Sequence, residues 1–150
     1  MGRLVNPVRR LMIVGLVLIV PALLVGCDRL PGSSADLKVG DCFMEPGGEG
    51  EVGEVQRRAC DEAHDAEVFA VLAYEGETYP IELTLDRFID EECLPQFEVF
   101  TGTAFGTQSE LTVGWFYPTR EGWNGGDRDI TCYLIRSDGG HLTGSQRAAG

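Results

Sequence analysis

Four cysteines, at positions 42, 60, 93 and 132, constrain this chain more than any other residues in it. Whether they staple a fold depends on the compartment the chain reaches, and a fifth cysteine bears on that question. Leu24-Val25-Gly26-Cys27 closes a leader in which Arg3, Arg9 and Arg10 form a basic start. Residues 11–25 follow as an apolar run of 15, interrupted only by Gly15 and Pro21. That run is short of the roughly 20 residues a membrane-crossing helix needs. With the small Gly26 before the cysteine, the segment reads as a lipobox ending a signal peptide over residues 1–26. An uncleaved N-terminal anchor is the alternative, and the length of the run speaks against it. The residues around Arg9-Arg10 do not suit a twin-arginine signal, so the general secretory route is expected. Cleavage would make Cys27 the new N-terminus, its thiol carrying a diacylglycerol. Two acyl chains, palmitate being the usual kind, at about 0.8 kcal/mol per buried methylene, give stable attachment. The expected location is the extracytoplasmic face of the cell membrane, with the lipid anchor as the membrane contact.

In an oxidising location the four remaining cysteines, an even number, are most economically two disulfides. Three pairings are open. The sequential one, Cys42 with Cys60 and Cys93 with Cys132, is preferred because each half then closes its own loop. Loops of these lengths each contribute on the order of 3–4 kcal/mol in the chain-entropy model. Removing the leader leaves 150 − 26 = 124 residues, enough for one domain with a modest core. The leader takes three of the 12 basic residues, so 9 remain against 24 acidic ones, a formal charge of about −15. Such a surface repels phosphate backbones, which excludes nucleic acid as a partner.

Residues 27–38 contain Pro31, Gly32, Ser33 and Ser34 and read as a flexible tether. A domain is expected over residues 39–147, with 148–150 frayed. Within it, residues 45–53 are rich in Gly and Glu and read as a surface loop. Residues 52–60 and 67–74 read as strands around the turn Asp61-Glu62-Ala63-His64-Asp65, and Val68-Phe69-Ala70-Val71-Leu72 has the continuous apolar character of a strand buried on both faces. Leu85, Phe88, Ile89 and Cys93 fall at helical spacing, with Thr84 or Asp86 as N-cap. Pro95 is expected to kink or end that helix before a further turn through Phe97 and Phe100. Residues 109–117 and 129–136 read as strands, joined by a loop over 118–127 that contains Trp123. The fold class is α+β: a small, mainly antiparallel sheet with one helix packed on it, stapled by two disulfides.

Several short motifs occur in a characteristic order. Val39-Gly40-Asp41-Cys42-Phe43 is followed by Cys60-Asp61-Glu62-Ala63-His64-Asp65-Ala66-Glu67-Val68 and by Cys93. Then come Tyr117-Pro118-Thr119, Trp123, Gly126-Asp127-Arg128, Cys132 and finally Leu142-Thr143-Gly144-Ser145. The ordered set resembles the septum formation domain family, found mainly in envelope proteins of actinobacteria. Ala63 stands where proline is usual, and Gln146 replaces an apolar residue. The resemblance implies an envelope location and a role at the division septum. It supplies no reaction, cofactor or catalytic residue.

Cys60, His64 and Asp65 have the types of a thiol nucleophile, base and orienter, but that site needs a free thiolate and Cys60 is expected to be oxidised. Cys60 and His64 with Cys93 and Cys132 could be read as zinc ligands, but the second pair is far too widely spaced for a structural zinc site. Asn124, Asp127 and Asp129 lack the ligand order of an EF-hand loop. No metal and no cofactor is therefore expected. The turn around His64 and Asp65 reads more simply as a tight turn whose side chains cap backbone groups. Trp123, Asp127 and Arg128, on a glycine-rich loop, are the other candidates for binding, since exposed aromatics anchor sugars and protein partners. The expected function is a lipid-anchored, non-catalytic binding or scaffolding module of the cell envelope, meeting division or cell-wall proteins. A wall-saccharide-binding lipoprotein is the alternative, and a thiol-dependent or wall-modifying enzyme is a weaker one.

Overall fold

The computed structural model describes residues 31–46, 53–107 and 109–149. The segment expected as a signal peptide and the expected lipidation site Cys27 lie outside the described residues. Six strands form one antiparallel sheet: β1 Pro31–Ser33, β2 Cys42–Met44, β3 Glu54–Arg58, β4 Ala66–Ala73, β5 Leu111–Phe116 and β6 Asp129–Arg136, in the order β1-β3-β2-β4-β6-β5. The two long strands β4 and β6 make its centre, paired from Ala66 opposite Ile135 to Ala73 opposite Asp129. Their register shifts between Val68 and Ala70, and the extra residue lets Phe69 and Ala70 both join the same core.

Successive side chains on a strand point to opposite faces, and both faces of this sheet are apolar. On one face Phe69, Ile130, Cys132 and Leu134 pack under a continuous helical segment. That segment is α1 Glu82–Phe88, a π-helical turn Ile89–Cys93 and α2 Leu94–Thr101. Leu85, Ile89, Cys93, Phe97 and Phe100 form its buried stripe, and Phe97 meets Phe69 edge-on with ring centres 5.7 Å apart. On the other face Leu37, Phe43, Val55, Ala66, Val68 and Tyr133 form a second cluster. The disulfides pair as preferred from the sequence. Cys93–Cys132 ties the helical segment to β6 with Cα atoms 6.2 Å apart, and Cys42–Cys60 ties β2 to the end of the β3 arm at 5.3 Å.

Four local expectations change. The helix starts at Glu82, ahead of either proposed cap, and Thr84 accepts the Ile81 N–H at 3.0 Å from within the first turn. Pro95 does not end the helical segment. It sits in the first turn of α2, directly after a π-helical turn in which the Leu94 N–H reaches Ile89 five residues back. The stretch expected as tether is folded from residue 31: β1 pairs with β3, and Leu37 is only 4% exposed. Ser33 explains part of this, since its hydroxyl accepts the Ala35 N–H at 3.2 Å and starts a short 3₁₀ turn over Ser34–Asp36. The C-terminal residues expected to fray are held as far as Ala148, whose N–H bonds to the Phe100 carbonyl at 2.8 Å. Among the described residues no helix is long and apolar enough to cross a membrane.

Candidate functional site

The loop after β5 carries a short helix, α3 Arg120–Asn124, where an unstructured connection was expected. Thr119 caps it, its hydroxyl accepting the Gly122 N–H at 3.0 Å. This helix, the ends of β5 and β6, and the Ser33–Ala35 corner enclose a cleft of about 250 Å³. Glu121, Asp127 and Asp129 bring three carboxylates to its lining, and no lysine or arginine lines it. Asp127 is held by accepting the Asp129 N–H at 3.0 Å. Phe116 and Tyr117 contribute rings, and Tyr117 is 41% exposed. Thr131 lines the cleft from β6. It is only 4% exposed. A cleft of hydroxyls, carboxylates and one open ring suits a polar ligand with donors to give.

Of the loop residues singled out from sequence, only Asp127 lines this cleft. Trp123 is half-buried and packs with Tyr79 and Tyr74, ring centres 5.8 and 6.2 Å away. Arg128 stacks on Trp123, its guanidinium 3.6 Å from the ring centre. The same guanidinium donates to the carbonyls of Trp123 and Asp127 at 2.8 and 2.7 Å, so it braces the loop. The open ring is Tyr117, which meets Tyr79 edge-on at 6.2 Å. Thr131 and Tyr117 were not singled out by sequence as a pair. Thr131 alternates with the core residues Ile130 and Cys132 on β6, and Tyr117 follows directly on the end of β5.

His64 and Asp65 occupy a separate place. Adjacent in sequence, they point to opposite environments. Asp65 lies nearer the surface, meeting His141 Nδ1 at 2.6 Å and accepting the Glu45 N–H at 3.0 Å. His64 is fully buried, and its backbone pairs in both directions with Leu142, at 3.1 and 2.7 Å. Its Nδ1 lies 2.8 Å from the Glu62 carbonyl, while its Nε2 is buried with no partner. Cys60 is bonded to Cys42, so the thiol–histidine arrangement does not form. The zinc set considered from sequence is split, because Cys93 and Cys132 bond to each other in the core under the helical segment. A different trio gathers instead: ligand atoms of Cys42, His64 and Glu67 all lie within 4.8 Å of one another. Glu67 was missed in sequence, where it reads as the edge of an apolar strand.

A family model described as septum formation matches residues 39–150. The match begins eight residues after β1 starts, so β1 and the 3₁₀ turn lie ahead of it. No curated protein and no solved structure matches the chain.

Proposed function

We propose that this chain, which belongs to the septum formation family, is a lipid-anchored, extracytoplasmic binding module of the bacterial envelope that works without catalysis. Family membership supports a role in septum formation. The observation that carries a binding role is the acidic cleft beside α3, where the carboxylates of Glu121, Asp127 and Asp129 stand with Thr131 and the open ring of Tyr117. The leader ending at Cys27 supports attachment from outside. Since β1 begins at Pro31, only four residue steps separate that cysteine from the sheet. At about 3.5 Å per extended residue, such a link spans roughly 14 Å, so the domain would stand close to the bilayer.

A second reading, recognition of wall saccharide, is favoured by one specific feature. Tyr117 presents an open ring next to carboxylates and hydroxyls, the pairing of apolar face and acceptors that a sugar ring requires. The experiment is retention of the mature protein on isolated cell wall, alongside cross-linking in dividing cells. Retention lost in Thr131→Val and Tyr117→Ala supports the saccharide. Cross-links to division proteins, lost in the same variants, support scaffolding. If neither variant changes either readout, the cleft is not the site.

A further inference from the structure

Cys42, His64 and Glu67 meet where β2 pairs with β4, and they are sealed from solvent: Cys42 is 2% exposed, His64 and Glu67 0%. The Glu62 carbonyl opposite His64 Nδ1 can only accept a hydrogen bond, so Nδ1 carries a proton and, in the neutral ring, Nε2 presents its lone pair. That nitrogen has no partner, and a ring nitrogen of the same imidazole lies within 4.8 Å of a Glu67 carboxylate oxygen and the Cys42 sulfur. An acceptor facing other acceptors in a sealed site is stabilised by a cation between them. The outer supports match those of a metal centre, where a ligating imidazole donates its other N–H to a backbone carbonyl and a ligating carboxylate is itself hydrogen-bonded. Here Glu67 accepts from Ser145 Oγ at 2.5 Å and from the Gln146 N–H at 2.6 Å.

We propose that, when the Cys42–Cys60 pair is in its dithiol form, this cluster binds one zinc ion through Cys42, Cys60, His64 and Glu67. Cys60 is bonded to Cys42 in the structure and so brings the fourth donor. Two thiolates, an imidazole and a carboxylate are zinc ligands in type and number for a closed tetrahedral site. The chain emerges from synthesis with its cysteines as thiols, so this state precedes the disulfide. Binding displaces the two thiol protons. A small-molecule disulfide then oxidises the pair: the Cys42–Cys60 bond forms, two electrons pass to the incoming disulfide, its two sulfurs leave as thiols after taking up two protons, and the zinc ion departs. The ion thus holds β2 against β4 and keeps these two cysteines from pairing with Cys93 or Cys132.

The test uses the mature protein, reduced with a phosphine and desalted without oxygen, then equilibrated with zinc alone. The expected result is one zinc per reduced chain and none per oxidised chain. Zinc should slow alkylation of Cys42 and Cys60 but not of Cys93 and Cys132. His64→Ala should weaken zinc binding by a factor of ten or more. Cobalt in place of zinc should show thiolate charge-transfer absorption that His64→Ala alters. Because His64→Ala could disturb the fold, Cys93→Ser/Cys132→Ser serves as the second variant and should bind zinc undiminished. Stoichiometric zinc in the oxidised protein, no zinc in the reduced protein, or unchanged affinity in His64→Ala overturns the proposal. So does equal protection of all four cysteines, which marks zinc bound to an unfolded chain.

Discussion

The Glu67 carboxylate, fully buried on β4, takes the hydroxyl of Ser145 at 2.5 Å and the backbone N–H of Gln146 at 2.6 Å. Through these two bonds a residue in the centre of the sheet holds the C-terminal strap across it. Ser145 in turn accepts the Arg147 N–H, and Arg147 lays its guanidinium over Phe100 on the helical segment. Hydrogen bonds to charged groups contribute about 1.5–3 kcal/mol each, and orphaning the strap's donors adds to the loss. Glu67→Ala is therefore expected to destabilise the domain by ~3 kcal/mol in denaturant unfolding. Removal of residues 145–150 should cost a comparable amount. A loss below ~0.5 kcal/mol in both would show that the strap is not held this way.

Gly114 on β5 lies opposite Tyr133 on β6, and a Cβ at that position would collide with the tyrosine ring. Gly114→Ala should displace Tyr133 and cost about 1–3 kcal/mol, as overpacking of a close-packed site does. The same change should break the bond from the Tyr133 hydroxyl to Glu45, visible as a changed tyrosine fluorescence.

Burial, and after it the Glu45 carboxylate, push the Tyr133 phenol well above the ordinary tyrosine range. The folded state thus keeps a proton that the unfolded chain releases near pH 10. Below that pH both states hold it and stability is unaffected; above it, stability falls as pH rises. Of the four tyrosines, Tyr133 should be the last to ionise in an absorbance titration. Tyr133→Phe should flatten the alkaline loss of stability, and an unchanged slope would contradict the assignment.

Trp123 and Tyr117 should separate framework from ligand contact. Trp123→Ala removes a ring packed among Tyr74, Tyr79 and Arg128 and should cost ~2 kcal/mol. Tyr117→Ala should change stability by less than ~0.5 kcal/mol while weakening retention on wall fragments. The reverse pattern would place the binding surface on Trp123 instead.

Much of this fold is legible in the residues. The apolar run around Phe69 and the helical stripe from Leu85 to Phe100 mark the main core, and the even cysteine count outside the leader leads to two disulfides. What stays hidden is long-range. Residues 31–37 look like a linker because one buried leucine and three strand pairs leave no periodicity to read. The C-terminal strap looks frayed because its partner, Glu67, is 79 positions from Gln146. The cleft is hidden for the same reason: it joins Ser33 to Thr131, and its polar groups are scattered over four elements. Trp123 draws the eye as an exposed loop aromatic, yet Arg128 and two tyrosines claim its surface.

In the function proposed above, the chain is a disulfide-stapled binding module held outside the cytoplasmic membrane by a lipid on Cys27. Its most direct test is the mass of the protein extracted from membranes, with cysteines alkylated before and after reduction. The expected result is an N-terminal Cys27 bearing a diacylglycerol, with Cys42, Cys60, Cys93 and Cys132 unreactive until reduced. An intact leader, or Cys60 freely alkylated beside His64, would contradict it.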